Sequence, residues 1–358
     1  MIAAIARALK QLLAATLYRS GLLALWWRMQ GVRLRSGPLI VTYHRVLPAS
    51  AAGDLSQAGI VVTTETFARQ LRLLAKHFRL VPLAEAVRSR DPGLCAITFD
   101  DGWADNHAHA LPLLAVACAP ATLFVVTDLV GSDRLFWPER LAHLLAGPER
   151  TRLPAGAIDG LPAAVHAALL AAARAPQPAL ALAVDRLIET AKEMGEEERE
   201  DMLALIARHT GRSTSGLAPR LLDWDRVRAM AAAGIEIGAH GATHAILTRI
   251  EFSRAIAEIR GARERLAAEL GRPPASFAYP NGNASPELAR AVRDAGYALA
   301  VVTDEPPDPG CPPGYAIRRK NLAEGSSRGF LGFSAAIFAC EILGFFDGLR
   351  RTGHRSAR

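Results

Sequence analysis

Between residues 38 and 323, apolar runs alternate with stretches of helical period. The strand-like runs are LIVTYH (39–44), LCAITFD (94–100), TLFVV (122–126), IEIGAH (235–240), SFAY (276–279) and LAVV (299–302). Helical patterns fall at 64–77, 83–90, 108–118, 225–233, 252–270 and 285–295, with Thr64 and Ser285 as helix starts. Strands that are apolar on both faces, each followed by a helix, predict a parallel sheet covered on its outside. It is either a barrel or an open doubly wound sheet. Residues 131–222 break the rhythm. They contain no convincing strand; 161–173 and 180–192 read as helices and 193–201 as a solvated acidic helix face. This stretch is expected to be a helical insertion between two strands.

The two ends differ from the body. Residues 1–30 are apolar with interspersed basic residues, and Arg19 stands in the middle of the longest apolar stretch, 11–27. A central charge costs a spanning helix at least ~2.5 kcal/mol. The apolar segment 12–18 is short for a signal peptide, and no A-x-A site follows. The expectation is a basic amphipathic helix or helix pair on anionic lipid, with Trp26 and Trp27 at the interface. The competing expectation is a helix packed on the body. Residues 329–349 are apolar from Phe330 to Cys340, then carry Glu341 and Asp347, with Arg350, Arg351, Arg355 and Arg358 beyond. A second interfacial helix and a docked helix are equally compatible with that pattern. The chain thus divides into a head (1–36), a body (37–325) and a C-terminal helix with basic tail (326–358). A peripheral membrane location is expected, on the cytoplasmic face because no clear signal peptide is present.

Composition narrows the class. The chain is 50% hydrophobic and 22% charged, enough to bury a full core. Four dispersed cysteines without a CxxC pair exclude a disulfide framework and a cysteine-rich zinc site. Residues 1–53 hold seven basic residues and no acid, which leaves 35 of the 42 basic residues against all 35 acidic ones in the rest. A domain-wide nucleic-acid surface is excluded on that balance.

The strand ends carry the chemistry. The six runs include four that close on polar residues: His44; Asp100-Asp101-Gly102; His240; and Tyr279-Pro280-Asn281-Gly282. In a parallel barrel these ends converge on one mouth. A glycine-permitted turn at Gly102 lets both aspartates face the same cleft. Two adjacent carboxylates raise one pKa unless a cation neutralises them. A metal does so and frees the other carboxylate as a base, though the residues alone do not say which aspartate plays which part. His240 and His244, at i and i+4, share a face if they lie on a helix turn. With Asp101 they form a His, His, Asp set that leaves a coordination position open to water.

The ordered set TFDDG (98–102), HGATH (240–244), FAYPNG (277–282) and DAGY (294–297), with VTYHRV (41–46) ahead of it, resembles the polysaccharide deacetylases. These are the NodB-homology group of carbohydrate esterases, and the resemblance covers residues 38–322. It implies a deformed (β/α) barrel and metal-dependent hydrolysis of N-acetyl groups from a carbohydrate, either a surface polysaccharide or a lipid-linked precursor. It implies Asp101, His240 and His244 as ligands of a divalent metal, zinc above others, and Asp100 as general base. Many members supply a late histidine as general acid, whereas here none follows Tyr297 before His354. Some members are circularly permuted, and His44 at the end of the first strand then takes that part. Tyr279, Pro280 and Asn281 fall on the oxyanion and substrate side, with a backbone N–H near Asn281 as donor. Arg319 is grouped with them; Arg318 or Arg319, with Arg319 preferred, is the candidate to stand in for the family arginine that orients the base, absent near Ala278. Gly241 occupies a position where the family often has Ser or Thr. His107 and His109, at i and i+2, do not share a helix face and are read as structural. The alternatives are an amidase on a small non-sugar amide and a non-catalytic carbohydrate-binding barrel. Aromatic side chains along the cleft favour sugar.

Overall fold

The computed structural model describes residues 2–34, 37–51, 59–154, 160–215, 220–303 and 308–347. The basic tail and His354 lie outside the described residues. Each of the six expected strands forms: β1 (Leu39–Tyr43), β5 (Leu94–Phe99), β6 (Ala121–Val125), β7 (Glu236–Ala239), β8 (Ser276–Ala278) and β9 (Leu299–Val302). Short strands complete the set: β2 (Arg45–Leu47), β3 (Val61–Thr63), β4 (Arg79–Leu80), β10 (Ile317–Arg318), β11 (Lys320–Asn321), β12 (Arg328–Gly329) and β13 (Gly332–Phe333). The main sheet runs β10-β9-β8-β7-β6-β5-β1-β11 with every pair parallel, and β4 added beside β5. Its two edge strands are halves of one extended segment, residues 317–321. Ile317 and Arg318 pair with β9, while Lys320 and Asn321 pair with β1. The sheet therefore curls into a nearly closed eight-strand barrel, with Arg319 at the seam.

Helices surround it: α1 (Ile2–Arg19), α2 (Leu22–Leu34), α3 (Thr64–His77), α4 (Leu83–Arg88), α5 (Leu111–Val116), α10 (Trp224–Ala232), α11 (Phe252–Leu270), α12 (Pro286–Asp294) and α13 (Ala335–Ile342). Their ends follow local chemistry. Thr63, one residue before the expected start, caps α3 by accepting from the Thr66 N–H, and Ser285 caps α12 by accepting from Leu288. Between β6 and β7 the chain departs into α6 (Trp137–Leu145), α7 (Ala163–Arg174), α8 (Gln177–Ala191) and α9 (Glu196–Thr210). These four helices bury their own apolar cluster, including Leu141, Leu169, Val184, Leu187, Met202 and Ile206, separate from the barrel core.

The ends of the chain correct part of the sequence reading. Trp26 and Trp27 are half-buried and pack edge-on against Phe345 and Phe78. The apolar run beginning at 329 is not an interfacial helix either. In α13, Ala336 to Cys340 and Ile342 are buried between α1 and α3, and the helix's one charged side chain, Glu341, accepts from Lys320 Nζ (2.8 Å). Among the described residues, no helix is long and apolar enough to cross a membrane.

Candidate metal centre and active site

The parallel strands deliver their C-terminal ends to one mouth, and backbone bonds run one residue past each strand. The Asp100 N–H donates to Tyr43 O (3.0 Å), His240 N–H to Val125 O (2.9 Å) and Tyr279 N–H to Val301 O (3.2 Å). The side chains just beyond the sheet are thereby held in register. His44, Asp100, Asp101, His240, His244, Tyr279 and Asn281 all line one cleft of about 120 Å³.

The two aspartates separate by a backbone reversal. Asp101 has φ 76° and Gly102 φ 79°. A Cβ at Gly102 would stand 3.2 Å from Val125 Cγ1, so the turn needs glycine there. Asp100 points into the barrel, where Arg319 donates to both its oxygens at 2.7 Å. Arg319 also donates to Thr98 Oγ1 (3.0 Å), Thr42 Oγ1 (3.2 Å) and Val302 O (3.2 Å), so its guanidinium is fixed on every side. Burial alone would raise the Asp100 carboxyl. The Arg319 charge, with His240 and His44, more than reverses this and holds it below the usual carboxylate range.

Asp101 faces the histidines. Its Oδ1 lies 3.5 Å from His240 Nε2 and 3.4 Å from His244 Nε2, and one ligand atom from each of the three falls within 4.8 Å of the others. Donors at about 2.0–2.2 Å around a tetrahedral ion stand roughly 3.3–3.5 Å apart, so the observed spacings suit one small divalent cation. Two supports aim these ligands. Trp103 Nε1–H donates to Asp101 Oδ2 (2.9 Å), leaving Oδ1 free. His240 Nδ1 lies 2.8 Å from Ala278 O, which places its proton there and leaves the Nε2 lone pair toward Asp101. Burial pushes the Asp101 carboxyl up, but the two histidines bring it well below the usual range. Burial would lower His240, and the pull of Asp100 and Asp101 raises it instead.

The His240–His244 segment is not a helix turn, contrary to the i, i+4 expectation. It is an irregular loop after β7, with Gly241 at φ 75° and His244 at φ 69°. The loop closes over Glu258 of α11, whose Oε2 accepts from the N–H groups of Ala242 (2.9 Å) and Thr243 (2.8 Å) and whose Oε1 accepts from the Thr243 hydroxyl (2.7 Å). Three of the four non-glycine residues with positive φ among the described residues are Asp101, His244 and Asn281, so backbone strain concentrates at this mouth.

The remaining expected site residues divide. His44 lines the cleft with Nδ1 unpartnered, and burial holds its pKa below the ordinary histidine value. Asn281 borders the cleft at φ 58°. Tyr279 does not offer its hydroxyl to a substrate: it donates to Tyr315 O at 2.9 Å. Pro280 is buried beside Gly241. Arg319, at 1% exposure, stands behind Asp100 and has no face on the cleft, so it fits the base-orienting part and not the substrate side. His107 and His109 line a separate pocket with Arg45 and Arg220, which Asp101, His240 and His244 do not line.

Several contributors were not visible in the sequence. Trp103 is one, and the Arg45 guanidinium lies 4.3 Å over its ring while bonding Asp105 at 3.0 Å. Glu139, in the first turn of α6, is 6% exposed with Oε2 unpartnered, and burial, with Asp101 nearby, pushes its pKa up to about 8. Its only sequence signal is a Trp-Pro-Glu at a helix start. The insertion brings Phe136, Trp137, Glu139 and Lys192 over the mouth. The cleft adjoins a pocket of about 440 Å³ that shares Phe136, Trp137 and His244, and a second of about 800 Å³ that shares His44, Lys192 and Asn281; these two have no lining residue in common.

Comparison with known proteins places the chain in a class. The polysaccharide deacetylase family model matches residues 88–155 and 175–300, more than half of the chain, and the chain belongs to that family of carbohydrate deacetylases. The matched segments contain Asp100, Asp101, His240, His244 and Asn281, while His44 and Arg319 fall outside them. The fold is similar to that of the Streptococcus pyogenes deacetylase PplD in complex with acetate (16% identity, TM-score 0.51, covering 81% of this chain and 94% of that one). It is also similar to IcaB from Ammonifex degensii (19%, 0.51, 86% and 97%) and to BC0361, a polysaccharide deacetylase from Bacillus cereus (15%, 0.50, 86% and 69%). No curated protein matches the chain.

Proposed function

We propose that the protein is a metal-dependent hydrolase that removes N-acetyl groups from a carbohydrate chain. The observation that carries this is the convergence of Asp101, His240 and His244 on one point, beside a second carboxylate, Asp100, that is locked by Arg319. The three ligands would hold a divalent ion, zinc by their donor set. Bound there, it would supply Lewis-acid polarisation of the acetyl carbonyl and a lowered pKa for water.

The chain's own residues do the rest. Asp100 takes the proton of the attacking water. A carboxylate has about four lone-pair sites, so the Arg319 bonds leave it acceptor capacity toward the cleft. Such general-base help is typically worth ~10²–10⁴-fold. The backbone N–H at Asn281 is the donor assigned to the developing oxyanion. His44 passes to the leaving amine the proton that Asp100 takes from the water; burial lowers the His44 pKa, so it is neutral at rest and hands the proton on readily. The two separate pockets that adjoin the cleft, with Trp137 lining one of them, support a substrate that extends beyond the acetyl group over a small isolated amide.

The test is metal content together with acetate release from N-acetylglucosamine oligomers. Wild type should hold about one ion per chain and release acetate. Asp101→Ala should lose both. Asp100→Asn should keep the ion while activity falls by about 10²–10⁴-fold. Metal-loaded wild type without acetate release from any N-acetylated sugar would refute the reading.

A further inference from the structure

We infer that the head hairpin and the β12–β13 tip form a docking surface for an anionic lipid bilayer, lying on it without crossing it. Helices α1 and α2 turn at Gly21, and one side of the pair is spent on the body. Ala14 and Leu23 are buried, Lys10 Nζ lies 4.2 Å over the Phe346 ring, and Lys76 Nζ donates to the Tyr18 hydroxyl at 3.3 Å. The other side is apolar and faces solvent: Leu9, Leu12 and Leu13 on α1, and Leu22, Leu25 and Met29 on α2, are 44–66% exposed. The spacings 9, 12, 13 and 22, 25, 29 each keep one helix face.

The tip extends that face. Phe330 and Leu331 are 74% and 92% exposed, and the Phe330 N–H donates to Gln11 Oε1, which fixes the tip beside α1. Of eleven large apolar side chains exposed among the described residues, eight belong to this one region; Val116, Leu182 and Phe252 are scattered elsewhere. A clustered patch of this kind marks an interaction site, whereas single exposed apolar residues do not.

Charge selects the partner. No acidic residue occurs in the first 53 positions, while Arg19 and Arg28 are exposed on the hairpin and Arg328 stands at the tip. A second copy would bring the same basic rim against itself. A negatively charged headgroup layer over an apolar interior complements both the rim and the stripe. None of the described helices can span. The inference does not depend on the enzymatic reading.

Co-sedimentation of the full chain with vesicles tests it, using phosphatidylcholine alone and phosphatidylcholine with about 30% phosphatidylglycerol. Binding is expected to the anionic vesicles, at least tenfold weaker to neutral ones, and weakened by 0.5 M salt. The triple variant Leu12→Glu, Leu25→Glu, Leu331→Glu should stay in the supernatant with an unchanged melting temperature. Leu331→Glu alone, at a hairpin tip with no packing to lose, should weaken binding severalfold. The control Val116→Glu, Leu182→Glu should bind as wild type. Wild type that stays in the supernatant with both vesicles overturns the inference, as does binding that Leu331→Glu and the triple variant leave untouched. A dimer in light scattering that the triple variant converts to monomer would assign the patch to a second copy instead.

Discussion

At Asp100 a buried carboxylate is kept ionised by one cation. Both its oxygens are bonded by Arg319, and the pair is almost wholly buried. A carboxyl whose folded pKa lies below its unfolded value stabilises the fold at pH above about 4. That contribution is lost as pH falls through the depressed folded value. Arg319→Met would leave Asp100 buried without its partner, at a cost of about 3–5 kcal/mol, and its pKa would rise. The acidic limb of the kcat/KM profile should therefore move to higher pH in Arg319→Met, and less far in Arg319→Lys. An acidic limb at its wild-type position would show that Arg319 does not set the protonation of the base.

The same residue shows why some of the site was legible in the sequence and some was not. Asp100, Asp101 and His240 announce themselves because they stand where apolar strands end and a charge has no packing reason to be, and His244 because it follows His240 at i+4. Arg319 lies among other basic residues in YAIRRKNL and is distinguished only by facing inward, which depends on a seam between strands far apart in sequence. Glu139 and Glu258 stand within helices, where a glutamate reads as solvated, and only the folded chain shows one against the cleft and the other under a loop.

At the scale of elements, the strands were readable because a sheet covered on both faces selects unbroken apolar runs. The segment after β7 was misread because its shape is not set by local period. Gly241 and His244 at positive φ exclude a helical turn, and Glu258 supplies the acceptors that the loop amides would otherwise lack. Glu258→Gln keeps the side chain's size but replaces one acceptor oxygen with an amide. Metal affinity should fall by about 10–100-fold, the usual range for a lost support of a ligand, with secondary structure unchanged. Competition with a zinc chelator would measure this, and wild-type affinity would show that the loop holds its shape without that carboxylate.

For the whole molecule, head, barrel and C-terminal helix share one core. Phe338 of α13 is fully buried there, with Ala14 and Leu23 of the head and Phe67 and Leu74 of α3 in the same cluster. Phe338→Ala should lower unfolding free energy by about 3–5 kcal/mol in urea titration, leaving metal content unaltered. A change below about 1 kcal/mol would mean that α13 is an appendage. The docked position of this helix was not legible because an all-apolar segment suits a protein interior and a lipid surface equally well. Only the side chains that come to meet it decide.

The seam at residues 317–321 has two parts to play. The segment that joins the first and last parts of the sheet also carries the arginine that bonds both oxygens of Asp100. A chain whose sheet has not yet met itself has Asp100 without a counter-charge, and the carboxyl is then free to take up a proton. Closing the barrel and fixing the charge state of Asp100 are thus one contact: whatever opens the seam also removes the guanidinium from that carboxylate.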